Sequence, residues 1–205
     1  MFLDKLNTLA DWEISFLTSE LVSKRYFKNQ NEDVTILKVG STKAPIKTLG
    51  GMIINPDITV NEMDTNINDL LILPGADTWF EQDNQKIIKV AKDRIEKGLK
   101  IAAICGATGA LAKAGALNNK KHTSNDIEYL KMFSPEYTGE AYYVNEPVIK
   151  DENLITASGL APIEFTYEII KQLDLFREET LSAWYNLYIK KEQKYFYELM
   201  SSLKK

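Results

Sequence analysis

Cysteine and histidine are the residue types that this sequence has least of, with one of each among 205 residues. A single cysteine excludes an internal disulfide, and a free thiol is typical of a reducing compartment. One cysteine and one histidine are a poor ligand supply for a transition-metal site. We therefore expect a cytoplasmic protein with no metal, and we take Cys105 as the centre of any chemistry.

Long hydrophobic runs are also missing. Asp4, Lys5, Asp11 and Glu13 interrupt the apolar residues near the N-terminus, so this segment resembles neither a membrane span nor a signal peptide. A net charge of −4 and a pI near 5.2 disfavour non-specific binding to nucleic acid or to an anionic membrane. Because no Walker loop and no GxGxxG fingerprint is present, we expect no cofactor, no nucleic-acid partner and no membrane.

The chain alternates short apolar runs with longer amphipathic stretches. We predict strands at 34–39, 70–73, 100–104, 142–149 and 154–157, and helices at 10–28, 85–97, 108–114, 128–133, 163–173 and 178–203. Buried strands that alternate with helices indicate an α/β fold with a mostly parallel sheet, covered on both faces.

Cys105 stands between a predicted buried strand and a predicted helix. A nucleophile at a sharp strand-to-helix turn is exposed to substrate, and such a turn needs small neighbours. Ala103, Gly106 and Ala107 meet that need. The N-terminus of the following helix favours thiolate over thiol. The alternative is that Cys105 is a small, buried core residue.

Four segments carry a family resemblance. They are Leu73-Pro74-Gly75, Ala102-Ala103-Ile104-Cys105-Gly106, Lys121-His122-Thr123-Ser124 and Thr156-Ala157-Ser158-Gly159. Together they resemble the ThiJ/PfpI superfamily, also called the DJ-one/PfpI group, which has a class I glutamine amidotransferase-like fold. The resemblance covers about residues 1–173 and implies a flavodoxin-like three-layer sandwich. Residues 174–205 form an added helical extension, which we expect to pack on the same domain or on a dimer partner.

The resemblance implies roles for several residues around Cys105. An acidic residue that contacts the cysteine falls at Glu13, and burial beside a thiolate would keep that carboxyl protonated. The backbone N–H groups of Gly75 and Gly106 would form an oxyanion hole. Two simpler interpretations stay open: Glu13 could serve only the N-terminus of a helix, and Gly75 could belong to an ordinary Pro-Gly turn.

Histidine departs from the family pattern. Relatives with peptidase or amidase activity carry it directly after the cysteine, where this chain has Gly106, and other relatives carry it at the position of Ser124. His122 is therefore the candidate catalytic base. His122 and Ser124 are two residues apart, which on a strand means a separation of about 6.6 Å. A catalytic base must lie within roughly 2.6–3.2 Å of the atom whose proton it takes, here the sulfur of Cys105. The alternative is a histidine bonded to a neighbouring backbone group.

A last matching segment, with Ser158, Gly159 and Pro162, lies near the thiol in relatives. Gly159 and Pro162 could equally shape only the turn before the next helix. We expect Glu164 in the first turn of that helix.

Two functions follow from these residues. The first is an enzyme in which Cys105 attacks a carbonyl: an amidase- or peptidase-like hydrolase, or a glyoxalase-type enzyme on small aldehydes such as methylglyoxal. The second is a non-catalytic oxidative-stress sensor or protective protein that uses the same thiol. A glutamine amidotransferase ranks last, since its usual His-x-Glu is missing. The partner would be a small-molecule or peptide substrate, and the aromatic C-terminus suggests a homodimer.

Overall fold

A computed structural model describes residues 1–63 and 69–204. The strands are β1 (Phe2–Asp4), β2 (Leu37–Gly40), β3 (Ile46–Lys47), β4 (Ile53–Ile54), β5 (Ile58–Thr59), β6 (Leu71–Leu73), β7 (Ile101–Ile104), β8 (Val148–Asp151) and β9 (Leu154–Ala157). The helices are α1 (Asp11–Ser23), α2 (Gln85–Glu96), α3 (Gly106–Lys113), α4 (Ile127–Phe133), α5 (Pro162–Gln172), α6 (Glu178–Lys190) and α7 (Gln193–Ser202). Short 3-10 turns lie at Val60–Glu62, Asp77–Phe80, Gln82–Asn84 and Glu140–Tyr142.

The main sheet has seven strands in the order β5-β2-β1-β6-β7-β9-β8. Its pairs are parallel except for β8, which runs antiparallel to β9 at one edge. Strands β3 and β4 form a separate hairpin. Every residue of β6 and β7 is buried, as expected for central parallel strands that helices cover on both faces.

Apolar side chains pack on both faces of this sheet. On one face Ile87 of α2 and Leu111 of α3 join the core. On the other face Leu17 of α1, Phe165 of α5 and Trp184 of α6 join a second core cluster. This arrangement of helix, sheet and helix confirms the predicted flavodoxin-like α/β sandwich with extra helices at the C-terminus.

A buried polar cluster joins the C-terminal helices to α1. The indole Nε1 of Trp184 donates to Glu20 Oε1 at 3.0 Å. Arg25 donates to the same carboxylate, from Nε to Oε2 at 2.9 Å and from Nη2 to Oε1 at 2.5 Å. Because both carboxylate oxygens have donors, the cluster holds α6 against the start of the chain without leaving an unsatisfied charge.

Several predicted boundaries were wrong. The strand expected at 34–39 lies at Leu37–Gly40, and the strand expected at 142–149 is confined to Val148–Asp151. The single C-terminal helix expected at 178–203 is two helices. The chain breaks at Lys191, whose φ of 57° is left-handed and ends the first of them.

Candidate active site around Cys105

Cys105 lies at a strained turn between β7 and α3. Its φ of 58° and ψ of −123° fall in a region that residues other than glycine rarely occupy. Two contacts hold this conformation: the Cys105 N–H donates to Ala157 O at 3.0 Å, and the Thr108 hydroxyl donates to Cys105 O at 2.6 Å. Strain of this kind is typical of a nucleophile elbow, so the structure places the thiol where the sequence pattern predicted.

Glu13 is the carboxyl group that faces the thiol. It lies in the first turn of α1 and is 0% exposed. Its Oε2 accepts the N–H of Gly75 at 2.6 Å. Its Oε1 is buried and has no N–H or O–H donor within residues 1–63 and 69–204. The Glu13 carboxyl interacts with the Cys105 thiol, so the unoccupied Oε1 can accept a proton from sulfur.

Two glycines allow the backbone to approach this pair closely. A Cβ on Gly159 would lie 2.7 Å from Cys105 Sγ and 3.2 Å from Glu13 Oε1, so one loop touches both reactive atoms. A Cβ on Gly75 would lie 2.4 Å from Glu13 Oε2. Any larger residue at either position would push the carboxyl or the sulfur out of place.

Asn125 is a site residue that the sequence interpretation missed. Its Nδ2 donates to Cys105 Sγ at 3.3 Å, and its Oδ1 accepts the N–H of Gly159 at 2.8 Å. Because the backbone N–H requires an acceptor, the amide can present only its NH₂ group to sulfur. Asn125 directly follows Ser124, the residue at the family's histidine position, and that adjacency was the only signal in the sequence.

Burial and mutual repulsion set the ionisation of Cys105 and Glu13. Burial raises the pKa of Cys105 from 9.0 to about 11, and the charge on Glu13 adds to this effect. The Asn125 amide and the Gly106 N–H act in the opposite direction. Burial also raises the pKa of Glu13, although contacts with Cys105 and Gly75 oppose it.

This result corrects the expectation that the N-terminus of α3 makes the thiol acidic. Two buried acids in contact disfavour a double negative charge, so the pair ionises as a unit. The pair therefore takes its second negative charge only at high pH, and while it holds a single proton that proton lies on sulfur or on oxygen. A thiolate forms when that proton lies on the carboxyl.

The structure does not bring His122 to Cys105. The imidazole is buried, with Nδ1 2.6 Å from Lys120 O and Nε2 2.6 Å from the Tyr137 hydroxyl. Burial lowers the pKa of His122, so the ring is neutral near pH 7. Its geometry matches the alternative interpretation, a histidine bonded to neighbouring backbone, and the predicted role as a base gains no support. Ser124 bonds instead to the Thr108 hydroxyl, at 2.6 Å.

The predicted oxyanion hole also differs in the structure. The N–H of Gly75 donates to Glu13 and so positions the carboxyl rather than a substrate oxygen. The N–H of Gly106 does face Cys105, as predicted. The donors around the sulfur are thus the Gly106 N–H and the Asn125 amide.

The remaining predicted residues shape the loop behind the thiol. The Ser158 hydroxyl accepts the N–H of Leu160 at 3.3 Å. Pro162 is the first residue of α5, and Glu164 lies in its first turn, so these two belong to the helix start.

Residues 1–63 and 69–204 contain neither a candidate metal cluster nor a candidate membrane-spanning helix. No cluster of three His, Cys, Asp or Glu side chains could hold a metal ion in this part of the chain. None of the helices there combines the length and the apolar character that crossing a bilayer requires.

The fold and the site together define an α/β protein with an elbow cysteine and a buried glutamate partner. The chain belongs to the DJ-1/PfpI family, whose model matches residues 2–172.

Similar proteins cover nearly the whole chain. It is 46% identical to "Uncharacterized protease YoaZ" of Bacillus subtilis over 99% of this chain and 97% of that protein. A solved thiJ/pfpI family protein from Bacillus anthracis is 46% identical, with a TM-score of 0.94 over 98% of this chain and 95% of that one. The DJ-1 superfamily protein Atu0886 from Agrobacterium tumefaciens is 28% identical, with a TM-score of 0.79 over 93% of this chain and 98% of that one.

Other relatives carry names that describe activities. "Deglycase TK1284" of Thermococcus kodakarensis is 33% identical over 52% of this chain and 63% of that protein. "Glutathione-independent glyoxalase DJR-1.2" of Caenorhabditis elegans is 25% identical over 68% of this chain and 73% of that protein. The names among these relatives thus include protease, deglycase and glyoxalase.

Proposed function

We propose that this protein is a glyoxalase-type enzyme in which Cys105 adds to the carbonyl of a small, reactive aldehyde. One observation carries the proposal: the Glu13 carboxyl interacts with the Cys105 thiol, and its buried Oε1 lacks an N–H or O–H donor among the described residues. This oxygen is placed to take the thiol proton. The names of the deglycase and glyoxalase relatives support the same class of substrate.

The first step is the addition of sulfur to the aldehyde. Sγ of Cys105 bonds to the carbonyl carbon, the S–H bond breaks, and the proton passes to Glu13 Oε1. The carbonyl π electrons move to oxygen. The Asn125 amide and the Gly106 N–H already lie at the sulfur, so they are the donors nearest to this developing alkoxide. Return of the proton from Glu13 to the alkoxide gives a neutral hemithioacetal.

The second step fits a 2-oxoaldehyde such as methylglyoxal. Glu13 removes the C–H proton of the hemithioacetal carbon and returns it to the adjacent carbonyl carbon, while the hydroxyl proton of the adduct passes to the adjacent carbonyl oxygen. The adduct thereby becomes the thioester of a 2-hydroxy acid. Water then cleaves the thioester, releases a 2-hydroxy acid and restores the thiol. These reaction steps need one nucleophile and one carboxyl base, and the site contains both in Cys105 and Glu13.

Peptide or amide hydrolysis is a less favourable use of this site. The leaving amine must be protonated, and in cysteine hydrolases that task falls to a histidine beside the sulfur. The single histidine of this chain has both ring nitrogens engaged with Lys120 and Tyr137. An aldehyde has no amine leaving group and avoids this requirement.

The test is turnover of methylglyoxal by the purified protein. The assay measures both the loss of the aldehyde and the formation of lactate. We expect turnover in the wild type, none above background in Cys105→Ser, and a fall of about 100-fold or more in Glu13→Gln. His122→Asn, checked for folding by circular dichroism, is the matched control and should keep turnover. Lactate formation that survives in Cys105→Ser would contradict the proposal, as would its absence in the wild type.

The oxidation sensor remains the second candidate, because Asn125 and a protonated Glu13 could also hold oxygen atoms bound to sulfur. It predicts a stable gain of about 32 mass units at low peroxide, because two oxygen atoms are added to Cys105. The sensor also predicts no turnover of any aldehyde. Intact-mass measurement after peroxide treatment, run beside the lactate assay, separates the two functions.

A further inference from the structure

A second concave site lies on the side of α1 that faces the β3–β4 hairpin. The cavity has a volume of about 440 Å³, which falls within the range of ~300–1,000 Å³ typical of small-molecule sites. Its walls come from α1, from β1, from the chain around β2 and from the hairpin, and they are mainly apolar: Leu3, Leu9, Ile14, Ile36, Met52 and Ile54. It shares no lining residue with the contacts of Cys105, so it is a separate site.

Lys5 places a charge in this apolar cavity. Its side chain lines the cavity on the same side of the sheet as Leu3, because alternate residues of an extended chain share a face. Lys5 is only 5% exposed. Among residues 1–63 and 69–204 its Nζ has neither a hydrogen-bond acceptor nor an ion-pair partner. Burial accordingly lowers the pKa of Lys5 to about 8, with the charge of Asp4 opposing this effect.

The other charged groups that line the cavity already have partners. Lys38 Nζ pairs with Asp57 at 2.7 Å. Asp11 Oδ2 accepts the N–H of Gly50 at 2.6 Å, which ties α1 to the hairpin. The Lys5 ammonium is therefore the lining cation with unused hydrogen-bonding capacity. The Asp11 carboxylate, whose Oδ1 also lacks a hydrogen-bond partner, already acts on Lys5 through its charge and disfavours a ligand with two negative charges.

We propose that this cavity binds a small amphipathic monocarboxylate, with the carboxylate on Lys5 and the alkyl chain against Leu3, Ile14 and Ile36. Such a ligand supplies the hydrogen-bonded acceptor that the Lys5 ammonium lacks, although the charges of Asp4 and Asp11 act on it, and its tail removes apolar wall from water. A phosphate with two negative charges would bind the Lys5 ammonium but would be repelled by the Asp11 carboxylate. A purely apolar ligand would leave the ammonium unpaired.

Titration of the 205-residue protein with octanoate tests this site. Calorimetry and the methyl NMR signals of Leu3 and Ile14 report the binding. We expect saturable binding to the wild type, with shifts confined to the cavity. Lys5→Met keeps the length and apolar stem of the side chain and should bind octanoate about tenfold more weakly or worse, since a hydrogen bond to a charged group is lost. Lys89→Met, which removes an exposed cation of α2 outside the cavity lining, should bind like the wild type.

Octanol, which has the same tail but no charge, provides the ligand control and should bind at least about tenfold more weakly than octanoate. Three results would overturn the proposal: no saturable binding of octanoate to the wild type, equal binding to Lys5→Met, or equal binding of octanol. A second copy of the chain covering this face would produce the first of these results. Methylglyoxal turnover plays no part in the readout, so failure here is distinct from failure of the proposed aldehyde chemistry.

Discussion

Two buried glutamates on α1 differ in how fully their oxygens are bonded. Glu20, 1% exposed, has both oxygens occupied by donors from Arg25 and Trp184. Glu13 lies seven residues earlier, about two turns along the same helix face; its carboxyl interacts with the thiol, and its Oε1 has no N–H or O–H donor among the described residues. A saturated carboxylate fixes structure, whereas an unsaturated one retains capacity for proton transfer. The contrast separates the structural end of α1 from its reactive end.

The largest expected effect comes from Glu13→Gln. The isosteric amide cannot accept the thiol proton as a base, so we expect methylglyoxal turnover to fall by about 10²–10⁴-fold, the usual contribution of general base catalysis. The free energy of unfolding should stay the same or rise, because a buried ionisable group is removed. Steady-state kinetics and urea unfolding measure the two effects. A loss of stability with turnover unchanged would reverse the roles that we assign.

Glu20→Gln, the matched change at the other end of the helix, should show the opposite pattern. In Glu20→Gln an NH₂ group replaces one of the two carboxylate oxygens. That NH₂ group faces the N–H donors of Arg25 or Trp184, which need an acceptor. We expect a loss of about 1–3 kcal/mol in the free energy of unfolding, kept modest because the Arg25 side chain is half-exposed. Turnover of the folded fraction should be unchanged. A fall in turnover without a fall in stability would contradict this assignment.

The thiol should also make stability depend on pH. Because burial raises the pKa of Cys105 from 9.0 to about 11, the folded chain keeps its proton at pH values where the unfolded chain has lost it. Stability is therefore full below pH 9 and is lost as pH rises towards 11, by about 2–3 kcal/mol. Cys105→Ser lacks this loss. The lowered pKa of Lys5 acts in both proteins and cancels in the difference.

Urea unfolding of wild type and Cys105→Ser at several pH values from 8 to 11 measures that difference. Parallel stability curves across the whole range would show that burial does not hold the proton on sulfur.

Asn125→Ala should have the smallest effect. Removing the amide takes one donor from the sulfur and from the developing alkoxide, and leaves Gly106 as the other. We expect turnover to fall about tenfold, with little change in stability because Asn125 is exposed. Asn125→Asp is the informative companion: it keeps the acceptor for the Gly159 N–H but places a negative charge by the sulfur. An aspartate variant as active as the wild type would exclude the donor role.

The fold and the elbow were readable from sequence because they rest on local patterns. Apolar runs, small residues around Cys105 and the turn after it are properties of short segments. Glu13 was identified through the family resemblance alone. The buried hydrogen bond between Glu20 and Trp184 was not predicted from the sequence, because the two residues are 164 positions apart and only the fold brings them together.

The parts of the site that sequence reasoning missed depend on orientation. Nothing in the pattern tells whether the Gly75 N–H points to the thiol or to Glu13, because a rotamer of Glu13 decides it. Asn125 is an exposed loop residue without periodicity, and only the fold brings its amide to the sulfur. The helix after Cys105 suggested an acidic thiol, but burial and the carboxylate outweigh that dipole.

The pH dependence of Cys105 alkylation, in wild type and in Glu13→Gln, tests most directly whether the thiol and the carboxyl share a proton. If they do, the final ionisation of the wild-type thiol lies near pH 11, and it moves to lower pH in Glu13→Gln because the neighbouring negative charge is gone. An identical alkylation profile in the two proteins would show that Glu13 is not coupled to Cys105, and the proposed proton transfer would have to be abandoned.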